Sequence, residues 1–368
     1  MDPIIEQFSA QDSVAAESIP YCSGLPARPP STVRRIFFGP FGLRAGWSLL
    51  LYICILAAFV AGIRAGYAAY KAREHQAALS AGKPAPAKPD KDAPMEVVTG
   101  IEQEGSVFAV ILLLSAIMAV VERRRLAVYG LGGQRPVSRF VVGAIWGLVA
   151  VGLLVGALRM LHLVVFDAQL DHGWQILRLG AEQFLLFLFV GLFEEYFFRG
   201  YLQFTLTRGL VGLGNRISPK HARVAAFWAA TVITAGLFFA AHISNEGEDH
   251  MGLFLVFLAG VAFVVALWRT GSLWWAIGFH TAWDWSQSFL YGVPDSGVLV
   301  QGRMFATHAL GNPMLSGGTV GPEGSVLCIP ILLMVIVVLY FTKPAPLPPL
   351  EAKASDISVA PMPITLEA

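Results

Sequence analysis

Three short stretches hold the side chains that could do chemistry in an otherwise apolar sequence: EEYFFR (194–199), FFAAH (238–242) and HTAWD (280–284). Glu195 and Arg199 are four apart with the acid on the N-terminal side, so on a helix they share a face and can pair. Glu194 is turned about 100° away from Glu195, and Arg199 cannot serve both acids equally. One carboxylate is then neutralised while its neighbour stays available, and a carboxylate in an apolar pocket suits a general base. Phe238 and His242 are again an i,i+4 pair, with the ring of one able to pack under the imidazole of the other. His280 and Asp284 repeat the spacing, which suits a metal pair or a histidine oriented by a carboxylate. Each stretch also has a plainer reading: a structural ion pair, an interfacial histidine, a self-satisfied His–Asp pair. Together they supply carboxylate, imidazole, imidazole and carboxylate, the set that hydrolysis inside a bilayer would need.

The surrounding sequence sets where these residues must sit. Of 368 residues, 55% are hydrophobic and only 14% charged, with a mean hydropathy of +0.62. A soluble domain carries about 25% charged residues, so this is the composition of a multi-pass membrane protein. About eight apolar segments approach the ~20 residues of a spanning helix: 43–66, 105–121, 140–167, 179–206, 224–243, 251–269, 271–290 and 325–342. The expected fold class is therefore all-α and polytopic. Charges inside such spans cost about 2.5–3.5 kcal/mol each on insertion scales and by default mark function. With 3 cysteines, two of them (Cys54 and Cys328) in apolar runs, a disulfide scaffold is excluded. A net charge of +1 offers nothing to nucleic acid.

The organisation expected is a flexible tail over 1–40, N-terminal spans over 41–178 with an exposed linker at 71–95, a core at 179–290, a loop and last span at 291–342, and a second tail at 343–368. The N-terminal tail lacks the apolar stretch of a signal peptide. Arginines before the first span (Arg34, Arg35, Arg44), after the second (Arg123, Arg124, Arg125) and after the fourth (Arg208, Arg216) put both termini in the cytoplasm by the positive-inside rule, with lysines in the 71–95 linker against the pattern. The chain is expected in the cell membrane. Counted along straight helices, Glu194 and His280 fall toward the cytoplasmic side and His242 toward the other.

The order EExxxR, FxxxH and HxxxN/D on successive membrane helices resembles the CPBP family, the CAAX proteases and bacteriocin-processing enzymes also called Abi or type II CAAX prenyl endopeptidases. The lead-in WRTGSLWWAIGFH (268–280) is similar to the family's as well. The resemblance covers roughly 179–290 and implies an eight-helix intramembrane endopeptidase. It implies Glu194 as the base activating water with His242 beside it, His280 and residue 284 at the scissile carbonyl or on a metal, and Glu195 and Arg199 in support, with Phe238 packed under His242. Members often carry Asn at 284. Asp284, an acceptor when ionised, would repel an oxyanion. It fits better as a metal ligand, as an orienter of His280 or as a protonated acid, and so favours the metal-assisted version. Glu194, His242, His280 and Asp284 would then hold one zinc ion, and the glutamate-dependent version would need none. The implied partner is a peptide or protein substrate, prenylated and membrane-embedded ones both being compatible, in contact with the lipid bilayer. Two other classes stay open: a non-catalytic immunity or scaffold protein on the same fold, and a proton-coupled transporter using the same acids.

Overall fold

The computed structural model describes residues 32–39, 42–81, 94–170, 172–245 and 247–350. It is a helical membrane protein. Its main helices are α1 (Ala45–Ser80), α2 (Val97–Val121), α3 (Pro136–Met160), α4 (Trp174–Glu194), α5 (Gln203–Ile217), α6 (Ala222–His242), α7 (His250–Thr270), α8 (Trp274–Trp285) and α9 (Cys328–Tyr340). Helix α4 does not end before α5: a π-helical segment, Glu195–Leu202, joins them into one run from Trp174 to Ile217.

Among the described residues six helices, not eight, are long and apolar enough to cross a membrane: α1, α2, α3, the α4–α5 run, the helix ending at His242, and α7. Helices α8 and α9 have 12 and 13 residues. At 1.5 Å per residue each falls well short of a hydrocarbon core of ~30 Å. Their sequences read as spans because they are largely apolar, and a helix of that kind can equally be buried in protein. Trp275, Ile277, Phe279 and Trp283 of α8 are buried in this way. By contrast Ile53, Phe59 and Ile63 of α1 are 43–57% exposed, which on a membrane protein is a lipid-facing surface.

Other expectations shift at the boundaries. Residues 71–80 continue α1 rather than opening a linker, because the stretch is alanine-rich and Lys71 pairs with Glu74 at 2.8 Å; 82–93 lie outside the described residues. The end of the third expected span is a strand instead: β1 (Val164–Gln169) pairs antiparallel with β2 (Phe305–Ala309). Within the expected tail Thr32–Phe37 form a short helix and Phe38–Gly39 a strand paired with Gly42–Leu43; 1–31 and 40–41 are outside the described part. The C-terminal segment packs back onto the bundle as far as Leu350. There Ala345 N donates to Arg269 O at 2.9 Å and Arg223 Nη2 to Pro348 O at 3.0 Å; 351–368 are outside.

The last helices are positioned by very close packing. A Cβ at Gly143 of α3 would stand 2.0 Å from Trp275 O, and one at Gly278 of α8 would stand 2.0 Å from Phe140 O. Only glycine lets the two backbones approach so far. Gly271, at φ +66°, ends α7 in the left-handed region and lets the chain reverse into α8.

Candidate active site

The hairpin α5–α6 sets the depth of the first two stretches. Glu194 precedes, and His242 follows, the turn at Pro219–His221 by nearly the same number of residues. The two therefore lie level in the bundle. The offset expected between them came from treating 179–206 as a complete span, whereas α4 runs through the π-helical segment into α5.

That segment begins at the catalytic candidates, and π-helical turns are frequent at functional sites. Arg199 Nη1 donates to Glu195 Oε1 at 3.0 Å, with both side chains 0% exposed. Arg199 Cζ lies 3.9 Å from the centroid of the Phe238 ring, a desolvated cation–π contact. The same Glu195 oxygen accepts from His280 Nδ1 at 3.0 Å. On its other edge His280 Nε2 is 3.4 Å from Asp284 Oδ2 and 3.7 Å from Glu194 Oε2. Phe263 stacks on the imidazole, with ring centroids 5.2 Å apart and planes at 19°. Glu194 keeps 16% of its side chain exposed, while Glu195 is sealed behind it.

His242, the last residue of α6, holds its ring 4.5 Å from that of Phe238. Its Nδ1 donates to Phe238 O at 2.8 Å. A carbonyl only accepts, so the proton belongs on Nδ1, and Nε2 is the nitrogen left to accept. Glu194, His242, His280, Asp284 and Phe238 all line one cavity of about 820 Å³. The structure thus brings the seven residues together: five on the cavity wall, with Glu195 and Arg199 buried directly behind.

The same donors do not fit zinc as they stand. His280 gives Nδ1 to Glu195 and turns Nε2 toward two carboxylates, and His242 gives Nδ1 to a backbone carbonyl, so only the two Nε2 atoms remain for a metal. Among the described residues no three His, Cys, Asp or Glu side chains form a group that could hold a metal ion. The metal-assisted version favoured by Asp284 has no ligand set in this geometry; Asp284 faces His280 instead.

The cavity also has walls that local spacing does not reveal. Glu104 of α2, Phe263 of α7, Glu248 in the α6–α7 loop, and Asp295 and Glu323 in the segment between α8 and α9 all line it. Glu104 carried a signal, a charge at the edge of an apolar segment; the loop acids carried none. The cavity extends sideways to Phe59 and Val60 on the exposed face of α1, and lengthwise to the loops at 243–249 and 291–327. Those loops lie at the end of the bundle away from Arg124 and Arg208, where Ser48 and Leu350 also sit. The described parts of both chain ends therefore share one end of the molecule.

Residues 179–286 match the type II CAAX prenyl endopeptidase Rce1-like family. All three motifs fall inside the match, which bears out the resemblance read from them. No curated protein and no solved structure matches the chain. The Rce1-like segment runs from α4 to α8 and carries all three motifs, while α1, α2, α3 and α9 lie outside it, with α1, α2 and α9 adding further cavity wall. The chain is a multi-pass membrane protein in which residues 179–286 are similar to that family's domain.

Proposed function

We propose that the chain is an intramembrane endopeptidase that hydrolyses a peptide bond with water activated by Glu194. The observation that carries this reading is the division between two neighbouring acids: Glu195 is buried and bound by Arg199, whereas Glu194 opens on the cavity beside His280. Glu194 takes a proton from a water molecule. The hydroxide oxygen bonds to the scissile carbonyl carbon, and the resulting oxyanion is met by an N–H of His280, whose ring is fixed by Glu195 and Asp284. Collapse breaks the C–N bond as Glu194 returns the proton to the leaving nitrogen. His242 accepts at Nε2 and orients the water. Phe238 and Arg199 are positioning residues.

The positive-inside rule assigns the arginine-rich end to the cytoplasm, so in this reading both termini are cytoplasmic and the loops at 243–249 and 291–327 face the other side. Substrate then reaches Glu194 from that side or laterally past α1, rather than through a cytoplasm-facing opening.

The test compares new protein N-termini in membranes carrying the wild-type chain with those carrying Glu194→Gln at equal abundance. Ends that arise only with the wild type support proteolysis and identify the substrate. Identical sets refute it and leave a binding or scaffold role for the fold.

A further inference from the structure

Six carboxylates line the cavity, namely Glu104, Glu194, Glu248, Asp284, Asp295 and Glu323, and among the described residues no Lys or Arg lines it. The mechanism above uses two of them. Two of the three loop acids, Asp295 and Glu323, are held in place by their surroundings. Gln287 Nε2 donates to Asp295 Oδ1 at 3.1 Å, and the backbone N–H and Oγ of Ser296 both donate to Glu323 Oε1, at 2.6 and 3.0 Å. The bonds between Asp295 and Val298 close a tight turn, with Ser296 and Gly297 at positive φ, that presents these side chains toward the cavity.

One feature shows an unmet demand for a donor. Both carboxylate oxygens of Glu248 are buried with no hydrogen-bond partner among the described residues. Burial and the nearness of Glu323 also raise Glu248 and Asp295 above the ordinary carboxylate range, as expected where like charges crowd without a counter-ion. Acids lining a low-dielectric cleft concentrate cations there.

We infer that the loop end of the cavity recognises a cationic group on the peptide substrate, a lysine or arginine side chain or an N-terminal ammonium, through Glu248, Asp295 and Glu323. This rests on the endopeptidase reading and adds a specificity to it. An ammonium seated here completes the bonding of Glu248 and fixes which backbone carbonyl reaches Glu194.

The test measures binding of two fluorescent, otherwise identical Ala/Leu peptides to the full chain in lipid nanodiscs, one with a single lysine and one with norleucine in its place. The Glu194→Gln chain is used, so that turnover does not intervene. The lysine peptide is expected to bind about tenfold more tightly at low salt, with the preference shrinking as salt rises. In Glu248→Gln/Glu323→Gln on the same background the preference should fall below about twofold, with the norleucine peptide unaffected. Equal binding of the two peptides to the Glu194→Gln chain overturns the inference, and that comparison does not depend on the added substitutions folding. A preference that survives both added substitutions overturns it too. Cleavage by the wild type without a lysine preference refutes the inference and leaves the peptidase standing. A lysine preference without cleavage does the reverse.

Discussion

Replacing either member of the Glu194–Glu195 pair by Gln should abolish most activity, but the two substitutions should differ sharply in stability. Glu195 is fully buried, and Arg199 behind it is 1% exposed. Removing one partner of a buried ion pair costs about 3–5 kcal/mol because the other charge is left uncompensated. A glutamine at 195 can still accept from Arg199 through its amide oxygen, recovering about 1 kcal/mol. The Phe238 ring at 3.9 Å is present in both forms and cancels. The net expectation for Glu195→Gln is therefore a loss of about 2–4 kcal/mol.

Glu194 is a different case. Its ionisable neighbour His280 is 3.7 Å away, beyond hydrogen-bond distance, and its side chain is 16% exposed. Glu194→Gln should cost no more than about 1 kcal/mol. The assay is unfolding of the purified chain in mixed micelles, read alongside cleavage of a substrate found from its N-terminus. Loss of the base should lower turnover by about 10²–10⁴-fold in Glu194→Gln while stability barely moves. The double variant Glu195→Gln/Arg199→Met should recover most of the stability lost by Glu195→Gln, since with the guanidinium gone no buried charge is left uncompensated. If Glu194→Gln proves as destabilising as Glu195→Gln, then Glu194 is structural and the division of labour is wrong. A double variant no more stable than Glu195→Gln would show that Arg199 does not depend on that acid.

Three further outcomes follow from the geometry. Exhaustive chelation should leave cleavage unchanged, because among the described residues no three His, Cys, Asp or Glu side chains gather to hold a metal ion; loss of activity restored by added zinc would refute that expectation. Gly278→Ala should destabilise by about 1–3 kcal/mol, since its methyl would meet the Phe140 carbonyl, and backbone cannot step aside as a flexible side chain can; an unchanged unfolding midpoint would disprove the close crossing. Burial, with Glu323 and Asp249 near, pushes Glu248 up to about 7 from an ordinary 4.5. A carboxylate raised in the folded state binds its proton more tightly there, so its contribution to stability is favourable at low pH and is lost as pH rises through about 7. Glu248→Gln should therefore behave like wild type near pH 4.5 and be the more stable of the two at pH 8, by unfolding midpoints measured across that range.

What could be read from the sequence was whatever depends on neighbours along one helix. Glu195–Arg199, Phe238–His242 and His280–Asp284 are all i,i+4 pairs, and each is in contact. Apolar length found the long helices for the same local reason. It failed at α8, where a largely apolar stretch serves burial against the glycines of α3 rather than crossing lipid, a distinction only the partner helix supplies. The metal question turned on the same limit. The spacing HTAWD suits a ligand pair and an oriented imidazole equally well, and nothing within those five residues separates them. The separation comes from where distant residues fold: among the described residues no three such donors gather on one point, while Glu195, 85 positions away, accepts from His280 Nδ1 and orients the ring. Glu248, Asp295 and Glu323 were illegible because their carboxylates share a cavity only after two loops fold over the ends of α6 and α8. The sequence therefore exposes the groups suited to breaking a bond, while the groups that would choose the bond are distributed where local pattern cannot reach.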